Sequence, residues 1–295
     1  MFVLLCILSG ALIGACGIGY KLGGKGNVRP IQPAAFLALF GTVVFGRLGW
    51  GEWKNLCLFT VVGGALFGVT QYWGVHLLRT ALKLGPLSPA WCAQSLNFVP
   101  VILYSGFCLS EKISLWQFFA LFFTVSAIIS ASCSASSPSG ERKTRSLREN
   151  LVYTGLLLAI LLSMSLLNVG LKYGSVNLHP ATGKSLLESN GNLIMCFTYL
   201  FLGLSSSLDL TLAKAWQFNK YAWIGGGIVT VCGVCSFVLA LFVVPRTPAV
   251  LFFALNNAAS ILTAGLLSTA LLGEKRTKAW YFTMIFSLLA ILFNR

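Results

Sequence analysis

The chain has 295 residues, of which 57% are hydrophobic and only 9% charged. Its mean hydropathy is +0.83, and a soluble globule carries about a quarter charged residues, so a water-soluble fold is excluded. The formal charge of +14 comes from 21 Lys and Arg against 7 Asp and Glu. Scattered over short loops between apolar runs, such charge fits anionic lipid headgroups better than nucleic acid.

About 20 apolar residues suffice to cross a bilayer, and ten runs of that kind lie at about 2–20, 31–49, 55–78, 88–108, 114–134, 151–173, 183–204, 222–243, 248–271 and 278–294. The first is rich in Gly10, Ala11, Gly14, Ala15 and Gly17, small residues that favour close helix packing in lipid. It lacks a basic leader and a cleavage site, so a retained helix is expected rather than a signal peptide. The second follows Pro30 and Pro33 as plain apolar sequence.

The third run carries Tyr72, His76, Arg79 and Lys83 at i, i+4, i+7 and i+11, one face of a helix. Lipid exposure explains the deep part of that stripe poorly. It is expected to line a cavity, with Arg79 or His76 meeting a carboxylate or phosphate. The fourth run places Gln94 and Asn97 on one face, with Pro100 and Tyr104 beyond. Pro100 in mid-helix is expected to bend it and free the Leu96 carbonyl.

Residues 135–150 are polar and form the linker between two halves. The seventh run opens on Lys184, Ser185, Glu188, Ser189, Asn190 and Asn192. Glu188 is the one acid inside a predicted span, roughly 10 Å below the start of its helix. In the eighth, Cys232 and Cys235 share a face, more simply as packing residues than as a metal or redox pair. Seven of the eight tryptophans fall near predicted helix ends, as an interfacial belt requires; Trp73 is the exception.

The chain repeats itself. Pro86-Leu87-Ser88-Pro89-Ala90 returns as Pro245-Arg246-Thr247-Pro248-Ala249, and Leu96-Asn97 as Leu255-Asn256. Leu109-Ser110-Glu111-Lys112 returns as Leu272-Gly273-Glu274-Lys275, and Gly19-Tyr20-Lys21-Leu22-Gly23 as Gly170-Leu171-Lys172-Tyr173-Gly174. Four pairs in one order make an internal repeat, with units at 1–134 and 151–295. Five spans per unit is an odd number, so the second unit is expected upside down relative to the first. The expected fold is an all-α integral membrane protein of ten transmembrane helices in two inverted five-helix repeats. Links after the odd-numbered runs hold 14 of the 21 Lys and Arg, which by the positive-inside rule puts both termini outside.

An ionisable group inside the bilayer costs about 2.5–3.5 kcal/mol or more, which makes Glu188 the first candidate. It can bind a cationic substrate group, take up a driving proton, or simply pair with Lys184. Lys21 and Lys172 hold equivalent places in the two halves, as anion contacts or as side chains snorkelling to headgroups. Asn97 and Asn256 form a symmetric amide pair, for substrate or for interhelical bonding; Asn257 beside Asn256 adds to the case for a cavity. Glu111 and Glu274 read as helix-start electrostatics.

The Pro-x-Ser/Thr-Pro-Ala stretch, the apolar run with Asn, and the Leu-Ser/Gly-Glu-Lys link before a last apolar helix resemble the EamA domain of the drug/metabolite transporter superfamily. The resemblance covers two units, about 2–134 and 151–294. It implies a ten-helix carrier working by alternating access, with a central cavity lined from both halves and cytoplasmic termini. The polar opening of the seventh run, the basic stripe of the third and the short N-terminal tail depart from the usual pattern.

The expected function is therefore secondary active transport of a small polar metabolite, an amino acid or related zwitterion, with proton coupling through Glu188. Substrate contacts are expected at Tyr72, His76, Arg79, Gln94, Asn97, Tyr104, Glu188, Asn192, Asn256 and Asn257, and anion contacts at Lys21 and Lys172. An anionic metabolite such as a sugar phosphate or nucleotide sugar is the alternative substrate. Rival classes are a membrane enzyme acting on lipid-linked substrates, for which two histidines and one buried acid are thin material, and a non-transporting scaffold. No Gly-x-x-x-x-Gly-Lys-Ser/Thr loop occurs; no catalytic residue, metal or cofactor is expected. The expected partners are the solute and the lipid bilayer, in a bacterial inner membrane, as monomer or homodimer.

Overall fold

The computed structural model describes residues 1–26, 28–84, 93, 96–134, 147–273 and 278–293, apart from the side chains of 24–25, 79, 82–84, 131–134, 147–150, 272 and 279. Among the described residues the α-helices are α1 (Phe2–Lys25), α2 (Ile31–Leu48), α3 (Leu58–Leu84), α4 (Val99–Cys108), α5 (Leu115–Ser134), α6 (Leu147–Val176), α7 (Leu186–Leu212), α8 (Lys220–Val243), α9 (Ala249–Leu272) and α10 (Lys278–Phe293). Short 3-10 turns at Trp50–Asn55, Leu96–Phe98 and Val244–Arg246 precede α3, α4 and α9. Seven helices (α1, α2, α3, α6, α7, α8 and α9) are long and apolar enough to cross a bilayer, while the described apolar stretches of α4, α5 and α10 are shorter. The chain is an integral, multi-pass, all-helical membrane protein.

The fourth apolar run departs from expectation. Pro100 falls in the first turn of α4, behind the 3-10 turn at Leu96–Phe98, and does not bend a continuous helix. In a first turn the backbone N–H lacks an intrahelical partner anyway, so proline is tolerated there. The Pro86–Ala90 stretch, Gln94, Glu274, Lys275, residues 135–146 of the linker and the Arg79 side chain lie outside the described residues.

The bundle crosses between the halves. α1 lies against α8 and α9, and α6 against α3 and α4; α2 meets α7 and α8, α3 meets α7, and α5 meets α10. Small residues permit these approaches. A Cβ on Gly10 would stand 2.1 Å from the Asn256 carbonyl oxygen, and one on Gly14 2.4 Å from that of Ser260, so α1 and α9 touch backbone to backbone. Gly68 brings α3 equally close to the Thr198 carbonyl of α7. Phe45, Phe98, Val101, Leu187, Ile194, Met195 and Leu255 pack into the shared core. Leu4, Val43, Leu58 and Phe107 point outward, where lipid solvates them.

One end of the bundle gathers four interhelical links. Glu52 and Asn55, between α2 and α3, bond to the start of α7 and to His179 in the α6–α7 link. Glu111, between α4 and α5, bonds to α6 and to the first residue of α9.

Candidate functional site

At that end, three repeat motifs meet. Lys172 stands one turn before the end of α6 and is 5% exposed. Its Nζ lies 2.5 Å from Oε1 of Glu111 and donates to the Thr247 carbonyl at 3.3 Å. The other Glu111 oxygen accepts from the Ala249 backbone N–H at 3.0 Å. The link places Glu111 there through Ser110, which takes a left-handed φ of 53° at the end of α4. Gly273, its counterpart in the second half, caps α9 with a φ of 66°.

α9 begins after Pro248, which has no side-chain oxygen with which to cap the helix. Glu111 supplies the missing acceptor from the other half of the chain, at the positive end of the helix dipole. Thr247 is turned inward, its hydroxyl donating to the Val243 carbonyl at 3.0 Å. Arg246 folds over the Phe242 ring at 4.4 Å and pairs with Glu188 at 3.5 Å. Beside this network lies a cavity of about 350 Å³, lined among others by Glu111, Lys112, Lys172, Ser175, Arg246 and Thr247. Three of those side chains are cationic and one is anionic; Lys172 is paired with Glu111 and Arg246 with Glu188.

Glu188 is the third residue of α7, because the helix starts at Leu186 and not near 183. Its own N–H donates to the N-cap hydroxyl of Ser185 at 3.1 Å. It is exposed and partners Arg246, not Lys184. Two residues on, Asn190 breaks the helix at φ −139°, ψ 18°, and the chain beyond the break needs a new cap. Glu52 provides it, accepting from the Asn192 side chain at 2.6 Å and the Leu193 N–H at 3.0 Å. Burial pushes the Glu52 carboxyl above its ordinary value, and these hydrogen bonds offset only part of that rise. Asn190 itself, fully buried, donates to the Asn55 carbonyl at 2.7 Å and to Thr60 Oγ1 at 2.8 Å. His179 Nδ1 accepts from the Ala181 N–H at 3.2 Å, so Nε2 carries the proton and donates to the same Asn55 carbonyl at 2.7 Å.

The two repeated asparagines each reach across the halves. Asn97 accepts from Asn168 of α6 at 3.4 Å, and Asn256 donates to Ser9 of α1 at 2.8 Å, where Ser236 of α8 joins them. Asn257 bonds within its own helix, to the Phe253 carbonyl. Tyr72 and His76 touch ring to ring and lie half-buried on α3, with Tyr72 against Ile31, Ala35 and Leu210. Tyr104 is half-buried on α4, and Lys21 is exposed toward the end of α1. None of these shares the cavity at Lys172. The residues that sequence reasoning leaves out of it are Glu111, Arg246, Thr247 and the Ala249 N–H. Their signal is present in the sequence: Glu111 and Thr247 both belong to the repeated motifs.

No protein-family model matches this chain, and no curated protein does. A solved structure described only as the crystal structure of a protein is similar over 99% of this chain and 95% of its own length, with a TM-score of 0.76 at 15% identity. At that identity the likeness is one of fold.

Proposed function

We propose that the chain is a secondary transporter of a small polar metabolite, working by alternating access between two inverted five-helix halves in a bacterial inner membrane, as EamA-type carriers of the drug/metabolite superfamily do. What supports this reading is the way the helix contacts exchange under the swap of halves. Replacing each of α1–α5 by its counterpart in α6–α10 turns the α1–α8 contact into α6–α3, α1–α9 into α6–α4 and α2–α8 into α7–α3, and every one of these is present. The contacts α2–α7 and α5–α10 map onto themselves. Asn97, which bonds to α6, and Asn256, which bonds to α1, are likewise counterparts, as are the left-handed residues Ser110 and Gly273 that follow α4 and α9. A pseudo-two-fold axis of this kind has two equivalent packings, which is the physical requirement for opening alternately to either side.

Glu111 belongs to the first half, and Lys172 and Ala249 to the second. Their bonds tie the halves at one membrane face, where such a clasp must loosen for that face to open. An amino acid or related zwitterion is the solute class to test first; sugar phosphates and nucleotide sugars come next. The experiment is solute counterflow in proteoliposomes over amino acids, amines, sugar phosphates and nucleotide sugars, with and without a pH gradient, for wild type and Glu188→Gln. Saturable exchange of one class is expected. If Glu188 takes up the coupling proton, Glu188→Gln loses pH-driven accumulation and keeps exchange. A correctly folded, lipid-inserted protein that exchanges none of these solutes overturns the reading.

A further inference from the structure

We propose that the cavity beside Lys172 is a binding site for an oxyanion, the carboxylate or phosphate group of a small solute, and that Glu111 occupies the oxyanion position in its absence. The inference rests on the transport reading for the role of that solute, and on the geometry for the site. Lys172 has three N–H donors on a side chain nine-tenths buried, yet among the described residues it meets two acceptors, Glu111 Oε1 and the Thr247 carbonyl. The third donor is left to the cavity that Lys172 lines.

The Glu111 carboxylate already demonstrates the fit, with one oxygen on the ammonium and the other on the Ala249 N–H at the start of a 24-residue helix. Any carboxylate or phosphate reproduces that two-oxygen bridge. Lys112 and Arg246 on the same wall add positive charge, and Arg246 also pairs with Glu188 at 3.5 Å.

The exchange is physically easy because it keeps the buried cation paired. Removing a partner from a buried ion pair is strongly unfavourable, but swapping one carboxylate for another never exposes that state. The Glu111 side chain is 24% exposed, so it has a route into water as the solute enters. Its departure frees the α4–α5 link from α6 and α9, so the arriving oxyanion loosens the clasp between the halves. Binding and opening are thereby coupled through one carboxylate position.

The test is isothermal titration of inorganic phosphate into the full chain in nanodiscs at constant ionic strength, with chloride as control. Saturable phosphate binding to wild type is expected. Glu111→Gln, which keeps an amide oxygen for the Ala249 N–H, removes the competing charge and should bind phosphate about tenfold more tightly, equivalent to about 1.4 kcal/mol. Arg246→Gln, on an exposed side chain, should bind more weakly, with the melting temperature of each variant checked alongside.

Equal phosphate affinity in wild type and Glu111→Gln, or no saturable binding in either, overturns the proposal. If Glu111→Gln does not give folded protein, Arg246→Gln decides instead, and an affinity unchanged from wild type overturns the proposal. Nanodiscs of phosphatidylcholine alone, compared with ones containing phosphatidylglycerol, separate the sources of the anion. Binding in both supports a free solute; suppression by phosphatidylglycerol supports a headgroup phosphate in the same site. Phosphate binding that responds to Glu111→Gln in a protein that exchanges nothing retains the site and removes the transport reading. Exchange without such binding does the reverse.

Discussion

Replacing Glu111 by alanine leaves the Lys172 ammonium, 5% exposed, with a single carbonyl for a partner. At an effective dielectric of about 20, unit charges at the observed 2.5 Å attract by about 7 kcal/mol. Desolvation offsets part of that, and orphaning one member of a buried pair costs about 3–5 kcal/mol. Loss of the α9 cap adds about 1 kcal/mol. Because the Glu111 side chain is 24% exposed, the lower end applies, about 4 kcal/mol in all with the cap. At about 2–3 °C per kcal/mol for a chain of this size, the melting temperature in detergent should fall by roughly 8–12 °C. Tryptophan fluorescence melting of wild type, Glu111→Ala, Lys172→Met and the double variant measures it. The double variant should lose at least about 2 kcal/mol less than the two single losses combined, since it orphans nothing. A fall of under about 2 °C for Glu111→Ala, or additive losses in the double variant, would refute the reasoning.

Gly10→Ala puts a methyl 2.1 Å from the Asn256 carbonyl oxygen and should abolish monodisperse protein or lower its melting temperature steeply, whereas Gly17→Ala meets nothing within 4 Å and should stay within about 0.5 kcal/mol of wild type. Size-exclusion profiles and melting curves distinguish them. Asn190→Leu removes the donors held by the Asn55 carbonyl and Thr60 and should cost about 1–3 kcal/mol in the same melts, with His179 still engaging Asn55. For Glu52, the folded carboxyl titrates above its ordinary 4.5, so the folded state holds that proton more tightly than the unfolded chain. Its contribution to stability is complete below the ordinary value and declines as pH rises through the raised one. Wild type should therefore lose more melting temperature than Glu52→Gln between pH 4.5 and neutrality, and equal slopes would contradict the assignment.

The spans are legible in the sequence because lipid imposes one demand on every crossing segment, and the apolar runs report it directly. The repeat is legible as well, since Lys172, Glu111 and Thr247 stand in motifs that the chain writes twice. Hydropathy places Glu188 too deep: the apolar run extends back to about 183, but Ser185 caps the helix and α7 begins at Leu186. The polar opening of the same helix is visible in the sequence, but its cause is not. That cause is a break at Asn190 and a cap from Glu52, a residue 140 positions away from the Asn192 it bonds. Pro100 reads as a mid-helix residue because nothing local marks the 3-10 turn ahead of α4.

By itself, then, the sequence determined a multi-pass helical membrane protein and the boundaries of most of its described helices, and its repeated motifs are what suggest two related halves. These depend on local composition and on order along the chain, which hydropathy and self-comparison read without coordinates. The tertiary structure decided that Glu111 belongs to Lys172 and α9 rather than to its own helix start, and that Asn256 bonds α1 and Asn97 bonds α6. A carboxylate in a low-dielectric surrounding takes whichever cation and open helix N-terminus the fold brings to it, and that choice is made between residues 61 and 138 positions apart in the chain.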